Sequence, residues 1–255
     1  SMPVHGTTGR TTILTNIGSM RNKGIELTIG GSLDFGPVHW DSNLNISTNK
    51  NEVMSLLGDD EPVSIGGNRI LQVGKSIGTF WLFQQDGIYQ YDAEVPKSQY
   101  DQGVRAGDVK WHDSDGNGII DDSDRLPMGT SDPKFFGGWN NTFSWKGLSL
   151  NIFFTYMYGN QVFMGQGANL TRAGHTRNVI AEYYENAWTG PGSTNTYPRI
   201  INGSSWNQKN SDMFLQDGSF IRLRALTLAY NLPRKALDKM KMKGFRIYLQ
   251  GDNLF

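Results

Sequence analysis

Residues 135–158 read FFGGWNNTFSWKGLSLNIFFTYMY, with apolar or aromatic side chains at alternate positions through most of the stretch. These side chains are Phe135, Trp139, Phe143 and Trp145 in the first half, and Leu148, Leu150, Ile152, Phe154, Tyr156 and Tyr158 in the second. A period of two places one kind of side chain on each face of a β-strand. Lys146 and Gly147 interrupt the pattern, so the stretch predicts a hairpin of two long antiparallel strands.

The same pattern predicts a second hairpin near the start of the chain. Residues 25–33 alternate apolar Ile25, Leu27 and Ile29 with polar or small residues, and residues 38–47 alternate in the same way. The four residues Asp34-Phe35-Gly36-Pro37 between the two runs form a tight connection.

A third pair of strands is predicted over residues 221–230 and 245–249. The apolar phase slips between Ala225 and Leu226, which indicates a β-bulge or a segment that is apolar on both faces. Helical patterns are limited to two short segments, residues 183–188 and 235–242. The fold class that follows is all-β and antiparallel.

Strand length and aromatic placement bear on the environment of these strands. Several runs span about ten residues, which is the length that a tilted strand needs to cross a bilayer. Aromatic residues near strand ends, namely Trp40, Trp145, Tyr156, Tyr158 and Tyr230, match the interfacial girdles of membrane barrels. Alternation alone also fits a large soluble β protein, so both environments stay open at this point.

The lengths of the connections favour the membrane barrel. Residues 34–37 and 145–147 make short turns, whereas the links over residues 50–133 and 159–217 are very long. Short turns on one side and long loops on the other are typical of outer-membrane barrels. We therefore expect both long links to be extracellular connections.

Composition excludes several other classes of protein. The chain has 255 residues, 24 basic and 24 acidic side chains, no cysteine and a mean hydropathy of −0.47. Zero net charge disfavours nucleic-acid binding, and the lack of cysteine excludes disulfide scaffolds and thiolate metal sites. No apolar run is long enough for a transmembrane helix or a signal peptide. A barrel strand is apolar only at alternate positions, so this hydropathy still allows a lipid-facing protein.

A candidate metal site lies within the first long link, where DSDGNGIIDDSD runs from Asp113 to Asp124. The spacing matches a calcium loop, in which oxygen ligands wrap one cation and a glycine, here Gly118, makes the sharp turn. The predicted ligands are Asp113, Asp115, Asn117, the Ile119 carbonyl, Asp121 and Asp124. Because the last position holds Asp rather than Glu, both Ca²⁺ and Mg²⁺ stay open. A turn held by Asx hydrogen bonds without an ion is the alternative.

Longer stretches of the chain carry a family resemblance. They include SMPVHGTTG, TNIGSMRNKGIELTI, IGTFWLFQQDGIYQ, the run from GDVKWHDSDGNG to FFTYMYGN, YYENAWTGPGSTNTYPRI, SDMFLQDGSFIRLRALTLAYNLPRKAL and FRIYLQGDNLF. In this order they resemble the C-terminal barrel portion of SusC/RagA-family TonB-linked outer-membrane receptors, the nutrient importers of Bacteroidetes. The resemblance covers most of the chain.

The resemblance implies a function and partners. It implies that the chain is one part of a 22-stranded transmembrane barrel in the outer membrane, which an N-terminal plug occludes. The implied partners are a SusD-like surface lipoprotein and TonB. It implies glycans or peptides as substrates. No enzymatic activity is expected, because the sequence shows no convincing acid–base pair. We expect residues 1–255 to be a fragment that lacks the plug, the TonB box and the signal peptide. If the short turns face the periplasm, the link over residues 50–133 contains an even number of crossings and the metal loop is extracellular.

One alternative function is a soluble, calcium-stabilised β module that binds carbohydrate. Other clusters are weaker candidates. The four histidines, His5, His39, His112 and His175, show no metal-site spacing, and the acidic residues 59–61 are expected to be solvated rather than catalytic. The basic residues Arg234, Lys235, Lys239, Lys241 and Lys243 are interpreted as a solvated periplasmic turn. The loop aromatics, interpreted as packing residues rather than as a sugar-stacking surface, are Trp81, Phe83, Tyr89, Tyr183, Tyr184, Trp188 and Trp206.

Overall fold

A computed structural model describes residues 2–3, 12–13, 18–165, 178–201 and 205–255. Its strands are β1 (Met2–Pro3), β2 (Thr12–Ile13), β3 (Gly18–Phe35), β4 (Val38–Leu56), β5 (Val63–Ile65), β6 (Arg69–Leu71), β7 (Thr79–Leu82), β8 (Gln85–Ile88), β9 (Val109–Trp111), β10 (Leu126–Thr130), β11 (Phe135–Trp145), β12 (Leu148–Tyr158), β13 (Gln161–Phe163), β14 (Leu215–Asp217), β15 (Phe220–Asn231) and β16 (Arg246–Asp252). Its helices are α1 (Lys97–Tyr100), α2 (Ala181–Asn186) and α3 (Arg234–Lys239), with 3₁₀ turns at Asp92–Glu94, Asp122–Asp124, Trp206–Gln208 and Asp212–Phe214. Most of the stretch 1–9 and part of the link 159–217 lie outside the described residues.

The chain divides into two compact units. The sheet unit comprises Arg21–Asn51, Asp132–Asn160 and Gly218–Phe255. The loop unit comprises the described residues of Ser1–Met20, Glu52–Ser131 and Gln161–Asp217. The three predicted hairpins belong to the first unit, and most of the two long links belongs to the second.

The main sheet has six strands in the order β16-β15-β12-β11-β4-β3. The predicted hairpin of residues 135–158 is confirmed, because β11 pairs antiparallel with β12 from Phe135 opposite Tyr158 to Trp145 opposite Leu148. At its turn, Lys146 and Gly147 both have positive φ values of 45° and 89°, as a two-residue hairpin turn requires. Strand β4 pairs antiparallel with β11, as an even number of crossings between them requires.

Strands β3 and β4 are longer than the alternating pattern predicts. Strand β4 continues to Leu56 rather than ending near residue 50, and β3 begins at Gly18. Residues 47–51 read STNKN and are polar on both faces, so the period of two disappears there although the strand does not end. Side-chain amides support this extension, since Asn51 Nδ2 donates to Asn22 Oδ1 at 2.9 Å.

The predicted phase slip in the third strand pair is a β-bulge. Phe153 lies opposite Ala225 and Phe154 lies opposite Leu223, so Arg224 is an extra residue in β15. A bulge shifts the side-chain phase by one position. Leu226 and Leu228 therefore face the same side of the sheet as Leu223, which keeps that face apolar along the whole strand.

The loop unit has its own small sheets and buried clusters. Strands β10, β7, β6 and β5 form one sheet in that order, and β8 pairs with β9. The largest apolar cluster comprises Phe83, Ile88, Val109, Trp111 and Ile120, with Trp188 and Trp206 packed against it. A second cluster comprises Tyr89, Val95 and Val104. The described residues of the loop unit therefore form an ordered structure with its own buried core.

The helices of the described residues are short, as expected, and two of them lie close to the predicted positions. Helix α2 covers Ala181–Asn186 and α3 covers Arg234–Lys239. Within the described part of the chain, none of the helices has the length and apolar character needed to cross a membrane.

Candidate functional site

One face of the main sheet is a continuous apolar surface across the strands. Cross-strand register aligns Leu44 with Trp139, Trp139 with Phe154, and Phe154 with Leu223. Many side chains of this face are exposed, including Ile25 at 73% and Leu249 at 75% of full exposure. A contiguous apolar surface of this extent marks a contact with lipid or protein rather than with water.

Aromatic side chains lie at both ends of this apolar face. Phe135 and Tyr158 stack at 5.0 Å between ring centroids at one end, and Trp40 and Phe143 stack at 6.1 Å near the other. The ten residue steps of β11 span about 33 Å, and a tilt of about 35–45° reduces this to about 23–27 Å across a membrane. This height agrees with the apolar band of about 25 Å in outer-membrane barrels.

Two polar side chains on the apolar face accept hydrogen bonds from tryptophan indoles. Trp40 Nε1 donates to Asn141 Oδ1 at 3.1 Å, and Trp139 Nε1 donates to Ser42 Oγ at 2.9 Å. Asn141 is only 5% exposed because the neighbouring rings cover it. Polar groups in the hydrocarbon region of a bilayer need hydrogen-bond partners within the protein. These two hydrogen bonds therefore agree with a face that contacts lipid.

The opposite face of the sheet is mainly polar. Asn151 Nδ2 donates to Asn140 Oδ1 at 2.8 Å and to Thr142 Oγ1 at 3.0 Å. Asn45 Oδ1 accepts from the Gly138 N–H at 2.9 Å. Alternation of an apolar outer face with a polar inner face is typical of a transmembrane barrel wall.

The predicted metal loop brings three of its carboxylates together. Asp113, Asp115 and Asp124 each offer an oxygen within 4.8 Å of the others. Hard oxygen donors of this kind suit Ca²⁺ or Mg²⁺. Gly118 has a φ of 79°, which is the turn that the predicted sixth position of the loop requires.

Two of the remaining predicted ligands, Asn117 and Asp121, accept hydrogen bonds from the loop backbone. Asn117 Oδ1 accepts from the Ile119 N–H at 2.6 Å, and Asp121 Oδ1 accepts from the Ser123 N–H at 2.8 Å. Among the described residues, the converging carboxylate group does not include Asp121. These contacts are the Asx hydrogen bonds of the ion-free alternative.

Backbone hydrogen bonds hold the loop in shape and favour the charged form of Asp113. The Gly118 N–H at 2.7 Å, followed by the Gly116 N–H at 2.8 Å, holds the pKa of Asp113 below its ordinary value. Asp124 is fully buried, and its two oxygens accept from the N–H groups of Ser114 and Asp121 at 2.8 and 2.9 Å. A deprotonated carboxylate is the form that a cation binds.

The loop is fixed to the core of the loop unit from both sides. Trp111, two residues before the loop, and Ile120, within it, belong to the same buried cluster. Ser98 Oγ also donates to the Gly118 carbonyl at 2.7 Å. These contacts hold the loop that carries the carboxylates against the core of the loop unit.

The other sequence candidates are placed as follows. His112 Nδ1 lies 3.0 Å from Asp86 Oδ2, and His39 lies between Asp34 and Asp41 at 2.6 and 3.1 Å. His5 and His175 lie outside the described residues. Of the loop aromatics, Phe83, Tyr89 and Tyr183 are buried, and Trp188 and Trp206 pack against buried clusters, which supports the interpretation as packing residues. Tyr184 differs, since it is largely exposed.

Sequence reasoning missed a cleft in the loop unit with a volume of about 540 Å³. Its walls include Asp86, Glu182 and Asp212, which lie far apart in the chain. Short spacings along the sequence carry no signal for such a site, because only the folded links bring these residues together.

Several known proteins are similar to this chain, although no family model matches it. TonB-dependent receptor P26 of Formosa agariphila is 32% identical over 261 residues, covering 97% of this chain and 26% of the relative. TonB-dependent receptor SusC of Bacteroides thetaiotaomicron is 26% identical over 276 residues, covering 98% of this chain and 24% of the relative. A solved structure of the RagAB peptide transporter matches with a TM-score of 0.80 at 23% identity, over 100% of this chain and 28% of that chain.

A sheet of long antiparallel strands with one apolar and one polar face, and aromatic side chains at both ends of the apolar face, is typical of the wall of an outer-membrane β-barrel. Over nearly its whole length the chain is similar to TonB-dependent receptors, SusC among them, and it is located in the outer membrane. The predicted family, fold class and location are thereby confirmed. The chain spans about a quarter of the length of the curated relatives that it matches. A soluble carbohydrate-binding module, the alternative from sequence, does not account for these matches.

Proposed function

We propose that the receptor containing this chain imports a nutrient across the outer membrane, with energy delivered through TonB. The observation that carries the proposal is the apolar face of the main sheet, together with matches to TonB-dependent receptors over nearly the whole chain. A wall that faces lipid on one side and is polar on the other encloses a path for polar solutes.

The proposed substrates are glycans or peptides, and the proposed partner is a SusD-like surface lipoprotein. SusC among the relatives and RagAB among the solved structures support this proposal at the level of the family. The protein is proposed to be a receptor rather than an enzyme, since its curated relatives are named as receptors. The links at residues 50–133 and 159–217 are proposed to be extracellular, because the short turns lie at the opposite ends of the strands.

A genetic uptake experiment tests the proposal. A strain that lacks the receptor gene is grown on a panel of single glycans and peptides, with the wild-type gene restored in a matched strain. We expect at least one substrate to support growth only when the gene is present, and this growth to be lost when TonB is removed. Identical growth of both strains on every substrate, or uptake that persists without TonB, would contradict the proposed function.

We also propose that the loop at residues 113–124 binds Ca²⁺ or Mg²⁺ as a structural ion. The proposed ligands are Asp113, Asp115, Asn117, the Ile119 carbonyl, Asp121 and Asp124. The converging carboxylates of Asp113, Asp115 and Asp124 support the proposal, and binding would require Asn117 and Asp121 to exchange their present hydrogen bonds for the ion. A bound ion would offset the repulsion of these carboxylates and stabilise the first link.

Metal removal tests this second proposal. In the purified receptor, Asp113→Ala combined with Asp115→Ala is expected to abolish one equivalent of bound metal and to increase hydrogen exchange across the loop. Chelation of the wild-type receptor is expected to give the same increase. Asp59→Ala combined with Glu61→Ala, two exposed acids of another loop, is the matched control. Unchanged metal content and unchanged exchange in the first variant would contradict metal binding.

A further inference from the structure

The cleft in the loop unit is formed by four segments that the sequence keeps far apart. They are strand β8, the start of helix α2, residues 195–197 and the 3₁₀ turn Asp212–Phe214. Its volume of about 540 Å³ lies in the range of small-molecule sites. Family matches do not assign a ligand to this cleft.

The charged side chains among the described residues of the cleft lining are all acidic. Asp86, Glu182 and Asp212 line the cleft, and its described lining includes neither lysine nor arginine. Burial, opposed by the Gln85 N–H and reinforced by the charge of Asp86, raises the pKa of Asp212 above its ordinary value. Asp86, Glu182 and Asp212 therefore meet no lysine or arginine within the described lining. His112, whose Nδ1 lies 3.0 Å from Asp86, is the basic group that contacts one of them.

Hydrogen-bond acceptors in the cleft are only partly used. Asp212 Oδ1 accepts from the Gln85 N–H at 3.0 Å, and Glu182 Oε1 accepts from the Tyr197 hydroxyl at 2.9 Å. The Gln85 side chain donates through Nε2 to the Thr196 carbonyl at 2.7 Å, while its buried Oε1 has no partner among the described residues. The ionised carboxylates of the lining accept hydrogen bonds and do not donate them, so a ligand that carries N–H donors fits this wall.

The cleft lining also has an apolar part. Met164, Ile180, Met213 and Phe214 lie beside the acids and amides. Such side chains contact the carbon skeleton of a ligand while the polar groups fix its orientation. Anionic ligands such as sulfated or uronic sugars are disfavoured, because they would meet three carboxylates.

We propose that this cleft binds the primary ammonium group of an organic ligand. An ammonium group is a cation with three donors and no acceptor, which matches the carboxylates that line the cleft. Two sources share this chemistry, the amino group of a peptide and that of an amino sugar. The proposal rests on the proposed import function in taking this ligand to be a substrate that the receptor carries.

Calorimetric titration of the purified full-length receptor tests the inference with two matched pairs of probes. The first pair is Nα-acetyl-lysine amide and its Nε-acetylated counterpart, and the second is D-glucosamine and N-acetyl-D-glucosamine. We expect at least one amine to bind, and its acetylated partner to bind about ten- to hundredfold more weakly, as expected for losing a charge-assisted hydrogen bond. The pair that shows this difference identifies the source.

Variants assign the binding to the cleft. Asp86→Asn combined with Asp212→Asn keeps the shape of the side chains and is expected to weaken amine binding about ten- to hundredfold. Asp101→Asn is the control. It removes an exposed acid that pairs with Lys97 and is not among the residues lining the cleft, so it is expected to leave amine binding unchanged. Hydrogen exchange over residues 85–111 checks that both variants retain the wild-type fold.

Three results would overturn the inference. They are the absence of binding for both amines, equal binding of amines and acetylated probes, and unchanged amine binding in the double variant with its fold intact. Uptake is measured separately, so the two proposals fail independently. TonB-dependent uptake without amine binding would overturn this inference and leave the import function standing, and amine binding without uptake would do the reverse.

Discussion

The buried Asp108 carboxylate ties separate segments of the loop unit together. It accepts two hydrogen bonds from Arg199, at 2.8 and 2.9 Å, one from Asn207 Nδ2 at 2.8 Å and one from the Arg105 N–H at 2.9 Å. Arg199 and Asn207 are 91 and 99 residues away in the sequence. Asp108 therefore connects the first long link to the second within the loop unit.

Removing Asp108 should loosen the loop unit strongly. Asp108→Ala leaves the partly exposed Arg199 guanidinium without its partner, and a hydrogen-bonded charge pair of this kind contributes about 1.5–3 kcal/mol. We expect the free energy of local opening, measured by hydrogen exchange at residues 105–111 of the receptor, to fall by that amount. Asp101→Ala breaks an exposed pair with Lys97 and should cost no more than about 1 kcal/mol. Equal effects of the two substitutions would show that Asp108 has no special structural role.

Local spacing explains which parts of the sites the sequence could predict. Asp113, Asp115 and Asp124 lie within one twelve-residue loop, so their spacing alone predicts that their carboxylates converge. Asp86 and Asp212 line one cleft through long-range contacts of the folded links. Nothing in the sequence near either residue encodes that contact, so the cleft could not be predicted.

The strands were predictable where one face differs from the other. Strand β12 was predicted with its bounds of Leu148 and Tyr158, because its alternation is sharp and a turn precedes it. Residues 48–56 of β4 were not predicted, since residues 47–51 are polar on both faces. The short strands of the loop unit were also missed, because packing inside that unit rather than alternation determines them.

Charge on the two faces of β12 should have different effects. Phe154 lies opposite Trp139 on the apolar face, whereas its neighbour Phe153 lies opposite Asn140 on the polar face. Phe154→Arg places a charge against lipid near the middle of the strand, and we expect it to destabilise the receptor by about 2–4 kcal/mol more than Phe153→Arg. Unfolding of both variants in lipid vesicles measures the difference. Equal destabilisation would show that the apolar face does not contact the hydrocarbon.

At the scale of the whole molecule, the chain combines a membrane wall with a folded pair of links. The wall follows from sequence because a barrel strand repeats one simple pattern, and pairing order follows the order of hairpins along the chain. The loop unit follows different rules, since its buried clusters join residues from both links. A mean hydropathy of −0.47 is the average of these two parts, and it hides the apolar face.

The central claim is that alternate residues of β12 face lipid. The chain contains no cysteine, so single cysteines can be introduced at each position from Ser149 to Met157 and labelled with a fluorophore. In the full receptor, with any other cysteine replaced, lipid-borne quenchers should quench the labels at positions 150, 152, 154 and 156. Labels at positions 149, 151, 153, 155 and 157 should instead respond to water-soluble quenchers. Quenching without alternation along the strand would contradict a lipid-facing sheet.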